Sequence, residues 1–195
     1  MSKAAKAKGG QRELRIIAGR WRSRRVRFLD VPGLRPTPDR VRETLYNWLQ
    51  FEITRCHVLD LFAGSGALSF EAASRGAEQV TLIEKDPQQA QCLRENLTLL
   101  GAENCQLVCA DSLQWLRKPA SKHFDLVLLD PPFHLGLVTQ VIDGLMQQAW
   151  LKPNAWVYIE TELSPEELTL PEQFALHRQT RAGLVHALLY RVTSA

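Results

Sequence analysis

Five short apolar runs constrain the fold of this chain more than any other feature. They are Cys56–Phe62, Gln79–Glu84, Cys105–Cys109, Phe124–Asp130 and Ala155–Thr161. Cys56–Phe62 is too short for a helix and reads as a buried strand entering a glycine turn, and the other four read as strands of the same sheet. Segments of helical length separate them. The first runs to about Arg75, where Gly76 closes it. Asp86-Pro87 opens the second, which stops before Gly101. Asp111 or Ser112 caps a third ending at Arg117, and Gly136–Gln148 reads as a fourth. Strands alternating with helices in this way predict right-handed crossovers and a mostly parallel sheet. The end of the chain departs from this pattern. Phe174–Arg181 and Leu184–Val192 flank Ala182-Gly183 and predict a hairpin that adds an antiparallel strand. Upstream, Thr37-Pro38 reads as a helix N-cap and first helical residue. That helix runs to about Gln50, with Val41, Leu45, Trp48 and Leu49 on one face. The expected class is α/β, with a seven-stranded, mostly parallel sheet.

Charge divides the chain in two. Residues 1–42 carry thirteen Lys and Arg against three acids, a net charge of +10, and residues 43–195 carry −7. A segment so basic suits a polyanion such as a phosphate backbone. Residues 1–11, with Lys3, Lys6 and Lys8 among Ala and Gly, have the composition of a disordered tail. Residues 12–36 read as a basic extension. There Leu14, Ile16, Ile17, Val26 and Phe28 alternate with arginines, which predicts two strands around an Ala18-Gly19 turn. Arg15, Arg20, Arg22, Arg24, Arg25 and Arg35 are the candidate RNA-binding residues. Residues 37–195 form the main domain.

Other classes are disfavoured. No apolar run reaches the roughly twenty residues of a membrane helix, and the basic N-terminus lacks the apolar stretch of a secretory signal. Cys56, Cys92, Cys105 and Cys109 form no CxxC pair. They read as reduced core residues of a cytoplasmic protein. His57, His123, His134, His177 and His186 form no cluster, so no metal site is expected.

Open α/β sheets bind ligands at the carboxyl ends of their strands, and four segments fall there. Asp60-Leu61-Phe62-Ala63-Gly64-Ser65-Gly66 combines a strand end, a glycine turn and a helix N-terminus. It departs from the dinucleotide fingerprint, because Phe70 and Glu71 occupy the place of the last glycine. Glu84 ends the next run and can accept from both hydroxyls of a ribose. A ribose without a pyrophosphate is what S-adenosylmethionine presents. Asp111, before Ser112, can accept from an adenine amino group or cap the following helix. Asp130-Pro131-Pro132-Phe133 ends the fourth run. Its prolines remove N–H donors, so Asp130 and nearby carbonyls act as acceptors around one point. Such a point orients a planar exocyclic amine, and Phe133 offers a flat face to an extruded base.

Together these segments resemble the class I methyltransferase fold, which is Rossmann-like. Asp60–Gly66 is similar to its first motif, Glu84 to its ribose-binding acid, and Asp130–Phe133 to the (Asn/Asp)-Pro-Pro-(Tyr/Phe) motif of amino-group methyltransferases. Residues 33–49, GLRPTPDRVRETLYNWL, resemble the signature of the bacterial 16S rRNA (guanine(966)-N2)-methyltransferase family. Residues 16–22, IIAGRWR, resemble that family's N-terminal RIIGGxWRG hairpin, with Ala18 and Ser23 in place of glycines. The resemblance spans residues 12–192. It implies S-adenosylmethionine as donor and 16S rRNA, in the small subunit or its assembly intermediate, as substrate of a monomeric enzyme. It implies a catalytic set of Asp130, Pro131, Pro132 and Phe133. The implied cofactor set is Asp60, Phe62, Ala63, Gly64, Ser65, Gly66, Glu84, Lys85, Asp111, Ser112 and Asp130, joined by Thr37 and Arg40.

Three other readings stand beside this one. A DNA adenine-N6 or cytosine-N4 methyltransferase uses the same amine chemistry but needs a base-reading region that a chain of 195 residues has little room for. A protein-glutamine methyltransferase would have less use for the basic segment. A non-catalytic RNA-binding assembly factor has no need of an intact Asp-Pro-Pro-Phe and glycine turn.

Overall fold

The computed structural model describes residues 10–193. In chain order the elements are β1 (Gln11–Arg15), β2 (Arg25–Leu29), α1 (Asp39–Trp48), β3 (His57–Asp60), α2 (Ala67–Ser74), β4 (Gln79–Glu84), α3 (Pro87–Leu100), β5 (Cys105–Cys109), α4 (Ser112–Leu116), β6 (Phe124–Leu129), α5 (Leu137–Gln147), β7 (Leu151–Thr161), β8 (Phe174–Ala182) and β9 (Val185–Val192). The main sheet has the order β5-β4-β3-β6-β7-β9-β8. β3 to β7 run parallel, and β9 is antiparallel to both of its neighbours. The expected seven-stranded sheet with one antiparallel strand is therefore present. Strand order reverses between β3 and β6, which opens a crevice at their carboxyl ends.

Strand alternation divides the core between the two faces. Val58, Leu82, Leu128 and Tyr158 pack with Leu45 of α1, Phe70 of α2, Leu93 of α3, and Val26 and Phe28 of β2. Leu59, Val127, Leu129 and Ile159 pack with Leu116 of α4 and Val141, Ile142 and Leu145 of α5. The helix signals act as expected at α3, where the Asp86 carboxylate accepts from Gln89 N at 2.7 Å and Gly101 closes the end at φ 61°.

Five local expectations are corrected. Thr37 is not the cap of α1: Pro38 holds that position, and the Thr37 hydroxyl instead donates to Glu160. A buried tertiary acceptor for its hydroxyl proton replaces the local backbone N–H that a cap would bind. Arg42 and Tyr46 share the buried face of α1, while Trp48 is only half-buried. The C-terminal turn is shifted by one residue, since Ala182 pairs with Val185 and leaves Gly183-Leu184 to turn the chain. The N-terminal hairpin has no tight turn at Ala18-Gly19. A loop from Ile16 to Arg24 joins β1 to β2 and lies against α2. Gln11, expected in the tail, begins β1; residues 1–9 of that tail lie outside the described residues.

Candidate active site and nucleic-acid interface

The basic extension is built onto the main domain through polar side chains that satisfy its backbone. All eight residues of α2 are buried, including Ser69, Glu71 and Ser74. Glu71 is fully buried and accepts from Ile17 N at 2.9 Å, Ala18 N at 3.0 Å and Arg75 Nε at 2.7 Å. Ser74 Oγ accepts from Trp21 N at 2.9 Å and donates to Ala18 O at 2.5 Å. Gly19 lies so close to this helix that a Cβ would stand 1.9 Å from Ser74 O, and its φ is +79°. On α3, Asn96 exchanges both amide atoms with the backbone of Arg27, and Gln89 Oε1 accepts from Leu29 N at 3.0 Å. These amides occupy the free edge of β2 as another strand would. Arg42 is 1% exposed. It donates to Arg15 O at 3.1 Å, Thr37 O at 3.2 Å and Asp39 Oδ1 at 2.6 Å, and its Nη1 lies 3.5 Å from Glu71 Oε2.

This anchoring presents the arginines outward. Arg15, Arg20, Arg22, Arg24, Arg25 and Arg35 are all exposed. Arg20 donates to Asn104 and stacks over the Trp21 ring at 4.1 Å. Arg24 donates to Leu99 O at 2.7 Å, and Arg25 pairs with Glu13 at 3.2 Å. The Arg22 guanidinium makes no hydrogen bond or ion pair among the described residues, although its backbone N–H donates to Gly19 O at 3.1 Å. Ser23, where the family pattern has glycine, takes φ +68°, so the expected glycine has a backbone reason. Ala18 does not need positive φ and fits as it stands.

The strand ends gather the predicted site residues. Gly64 (φ +49°) and Gly66 (φ +78°) turn the chain from β3 into α2. A Cβ on Gly66 would meet the Phe70 ring at 2.3 Å, so close packing as well as conformation requires glycine there. Asp60 lies behind this loop, 1% exposed, accepting from Ser69 Oγ at 2.5 Å and Phe62 N at 3.2 Å. Burial raises its carboxyl to about 7. It pins the loop from within through these two hydrogen bonds. Glu84 accepts from Gly64 N and Asp86 N, each at 2.8 Å, and burial raises its pKa while these N–H groups lower it. Gln89 Nε2 donates to Gly64 O at 2.6 Å, so one side chain joins the glycine turn to the arm.

Asp111 caps α4 by accepting from Gln114 N at 3.1 Å, and Lys85 pairs with it at 2.9 Å. The Lys85 hydrogen bond lowers the Asp111 pKa. Ser112 is buried and donates to Leu61 O, tying the β5 and β3 loops together. Ala63 and Ser65 are buried within the turn, and Phe62 is half-buried against the second core. Arg40 is exposed on the first turn of α1.

Asp130 follows β6 and keeps a partly exposed surface. Burial among acids, Glu160 and Asp60, pushes its pKa well above the usual carboxylate range. Pro131 is buried, Pro132 and Phe133 are exposed, and His134 ties the loop down by donating its N–H to Glu162 at 2.6 Å.

Sequence reading missed Glu71, Gln89, Arg42 and Glu160 as residues that build the site. Glu160 carried a signal, because it ends an apolar run as Glu84 does. The other three lie in helices, and only the packed arm reveals what they bind.

Residues 14–191 match the family described as Conserved hypothetical protein 95. Ribosomal RNA small subunit methyltransferase D of Haemophilus influenzae is 47% identical over 182 residues, covering 92% of this chain and 94% of that protein. The protein of the same name from Escherichia coli K12 is 44% identical over 182 residues, covering 93% of this chain and 91% of its own length. The chain belongs to this methyltransferase family. A solved structure described as putative methyltransferase yhhF from Escherichia coli superimposes with a TM-score of 0.85 at 43% identity, covering 94% of this chain and 99% of that one. The family carries both the sheet and the arm, since the matched residues begin within β1.

Proposed function

We propose that this enzyme methylates the N2 amino group of guanine 966 in 16S rRNA, taking the methyl group from S-adenosylmethionine. It acts as a monomer in the bacterial cytoplasm, on the small ribosomal subunit or its assembly intermediate. The observation that carries this reading is the position of Asp130. It stands at the strand-order reversal, one strand from the Gly64 turn, and is followed by two prolines and an exposed phenylalanine.

The residues present suit the cofactor. Each Glu84 oxygen accepts one backbone N–H, which leaves a second acceptor site on each for ribose hydroxyls. Asp111, held by Lys85, has acceptor capacity for an adenine amine. Gly64, Glu84, Asp111 and Asp130 would hold S-adenosylmethionine, whose sulfonium supplies an electrophilic methyl group. Asp130 accepts hydrogen bonds from the target amine and turns its lone pair toward that methyl. Phe133 stacks the extruded base. The arginines of the arm bind phosphates and hold the RNA in register. Positioning of this kind is worth about 7–11 kcal/mol.

The test is mass spectrometry of 16S rRNA from a strain lacking the gene, with one methyl group expected to be missing from one guanine. A methyl-acceptor assay on small subunits, free rRNA and DNA identifies the acceptor. An unchanged methylation map overturns the proposal.

A further inference from the structure

Three carboxyls face the first core from adjacent strands: Asp60 at the end of β3, Asp130 just past β6, and Glu160 near the end of β7. Leu128 pairs with Tyr158 and Leu129 with Ile159. The same register sets Asp130 beside Glu160 on strands about 4.8 Å apart. Glu160 is 4% exposed, and its Oε1 accepts from Thr37 Oγ1 at 2.8 Å and from the Tyr158 hydroxyl at 2.9 Å. Two donors on one oxygen fix the carboxyl and leave Oε2 as the atom that can carry a proton. The groups around the pair are Asp60 from β3, Tyr46 from α1, Thr37 before α1 and Tyr158 on β7, with Ala187 of β9 opposite Glu160. Arg42, bonded to Thr37 O, directs its guanidinium to Asp39, Arg15 O and Glu71 instead. Among the described residues no Lys, Arg or His pairs with either carboxyl. Two neighbouring carboxyls without a cation, Glu160 buried and Asp130 half-buried, do not readily ionise together.

We propose that Asp130 and Glu160 work as one unit holding a single proton, with Glu160 the positioning residue that sets how readily Asp130 accepts the amine's proton. This rests on the methyl-transfer reading above. As the N–C bond forms, the S–CH3 bond breaks and its electron pair returns to sulfur. The alkylated nitrogen then gives one proton to the unit, which passes from one proton to two and returns the extra proton to solvent. Burial and the neighbouring acids push Asp130 up strongly against the restraint of the Thr37 hydroxyl; burial raises Glu160, while the Thr37 and Tyr158 hydroxyls restrain it. The unit thereby retains one negative charge beside a cationic donor and remains basic enough to accept a proton.

Glu160→Gln keeps an oxygen for both hydroxyls and removes the charge. In ligand-free protein labelled with 13C-aspartate, the Asp130 carboxyl signal (assigned with Asp130→Asn) should titrate in two coupled steps. In Glu160→Gln it should titrate in one step, with proton affinity about tenfold lower or more. The acid limb of the methyl-transfer pH profile, set by the lower of the two steps, should stay within about half a pH unit in Glu160→Gln because Gln stands in for the protonated Glu160, with KM for RNA unchanged within about threefold. An Asp130 titration identical in the two proteins overturns the proposal. If Glu160→Gln does not fold, Thr37→Val and Tyr158→Phe serve instead. Each removes one donor from Oε1 and should raise the higher of the two steps, and an unmoved step overturns the proposal equally. Wild-type protein that transfers no methyl to rRNA refutes the functional reading, while the ligand-free titration still decides the pairing.

Discussion

The arm and the strand-end site are opposite solutions to placing charge on one small fold. The arm exposes its arginines and buries the polar groups of its backbone against Glu71, Ser74, Gln89 and Asn96. The strand ends bury their acids and leave Glu84 and Asp130 only partly open. Exposed cations remain charged and adaptable, which suits a phosphate backbone. Buried acids acquire altered proton affinity and fixed geometry, which suits chemistry on a single amine. Gln89 bonds both regions, accepting from Leu29 N and donating to Gly64 O, so the two are positioned by one side chain.

The contrast breaks most severely at Asp130. Asp130→Ala should lower methyl transfer by at least about a thousandfold, with cofactor affinity by calorimetry within about tenfold of wild type. Near-normal turnover would remove Asp130 from the reaction. Glu71→Ala should follow. It strands two backbone N–H groups and leaves Arg42 and Arg75 without their buried partner, a loss of about 3–5 kcal/mol in denaturant unfolding. A loss below about 1 kcal/mol would mean that the arm is held elsewhere.

Asp60 sharpens the comparison through pH. Its carboxyl is raised by burial to about 7, so the folded state binds the proton more tightly than the unfolded chain. That stabilisation is complete below the ordinary carboxyl pKa near 4 and is lost as pH rises through 7. Asp60→Asn should flatten the stability profile across that window, by at most about 4 kcal/mol, as followed by Tm against pH. An unaltered profile would place the proton elsewhere in the acid row.

Replacing Arg20, Arg22, Arg24 and Arg25 together should lower the slope of log affinity for rRNA against log salt by about three, with the fold intact. Arg22 alone should contribute most, since the other three already bond within the protein. An unchanged slope would place the RNA on another surface. The smallest effect is expected at Ser23→Gly. Relief of the left-handed backbone is offset by greater freedom in the unfolded chain, for a gain below about 1 kcal/mol. Destabilisation there would show that the Ser23 side chain supports the loop.

Most of the main domain was legible. Gln79–Glu84 and Cys105–Cys109 coincide with β4 and β5; β4, buried on both faces, is marked by its own residues, whereas β5 lies at the sheet edge with no fully buried residue. Asp86 and Gly101 bound α3 through bonds made within a few residues of themselves. The arm was legible only as apolar and basic alternation. Its long loop follows from a helix that comes into contact far away in sequence, so the Ala18-Gly19 turn signal pointed to a docking contact instead.

The residues by themselves determined the α/β alternation, the glycine turn, the Asp-Pro-Pro-Phe end and the charge division. All of these are encoded over spans shorter than one structural element. Only the tertiary structure decided that Thr37 donates to Glu160 rather than capping a helix, that Arg42 and Glu71 bind the arm, and that Glu160 stands beside Asp130. Each of those partners lies on another element, and burial makes an unpaired polar group so unfavourable that the distant partner prevails over the local one.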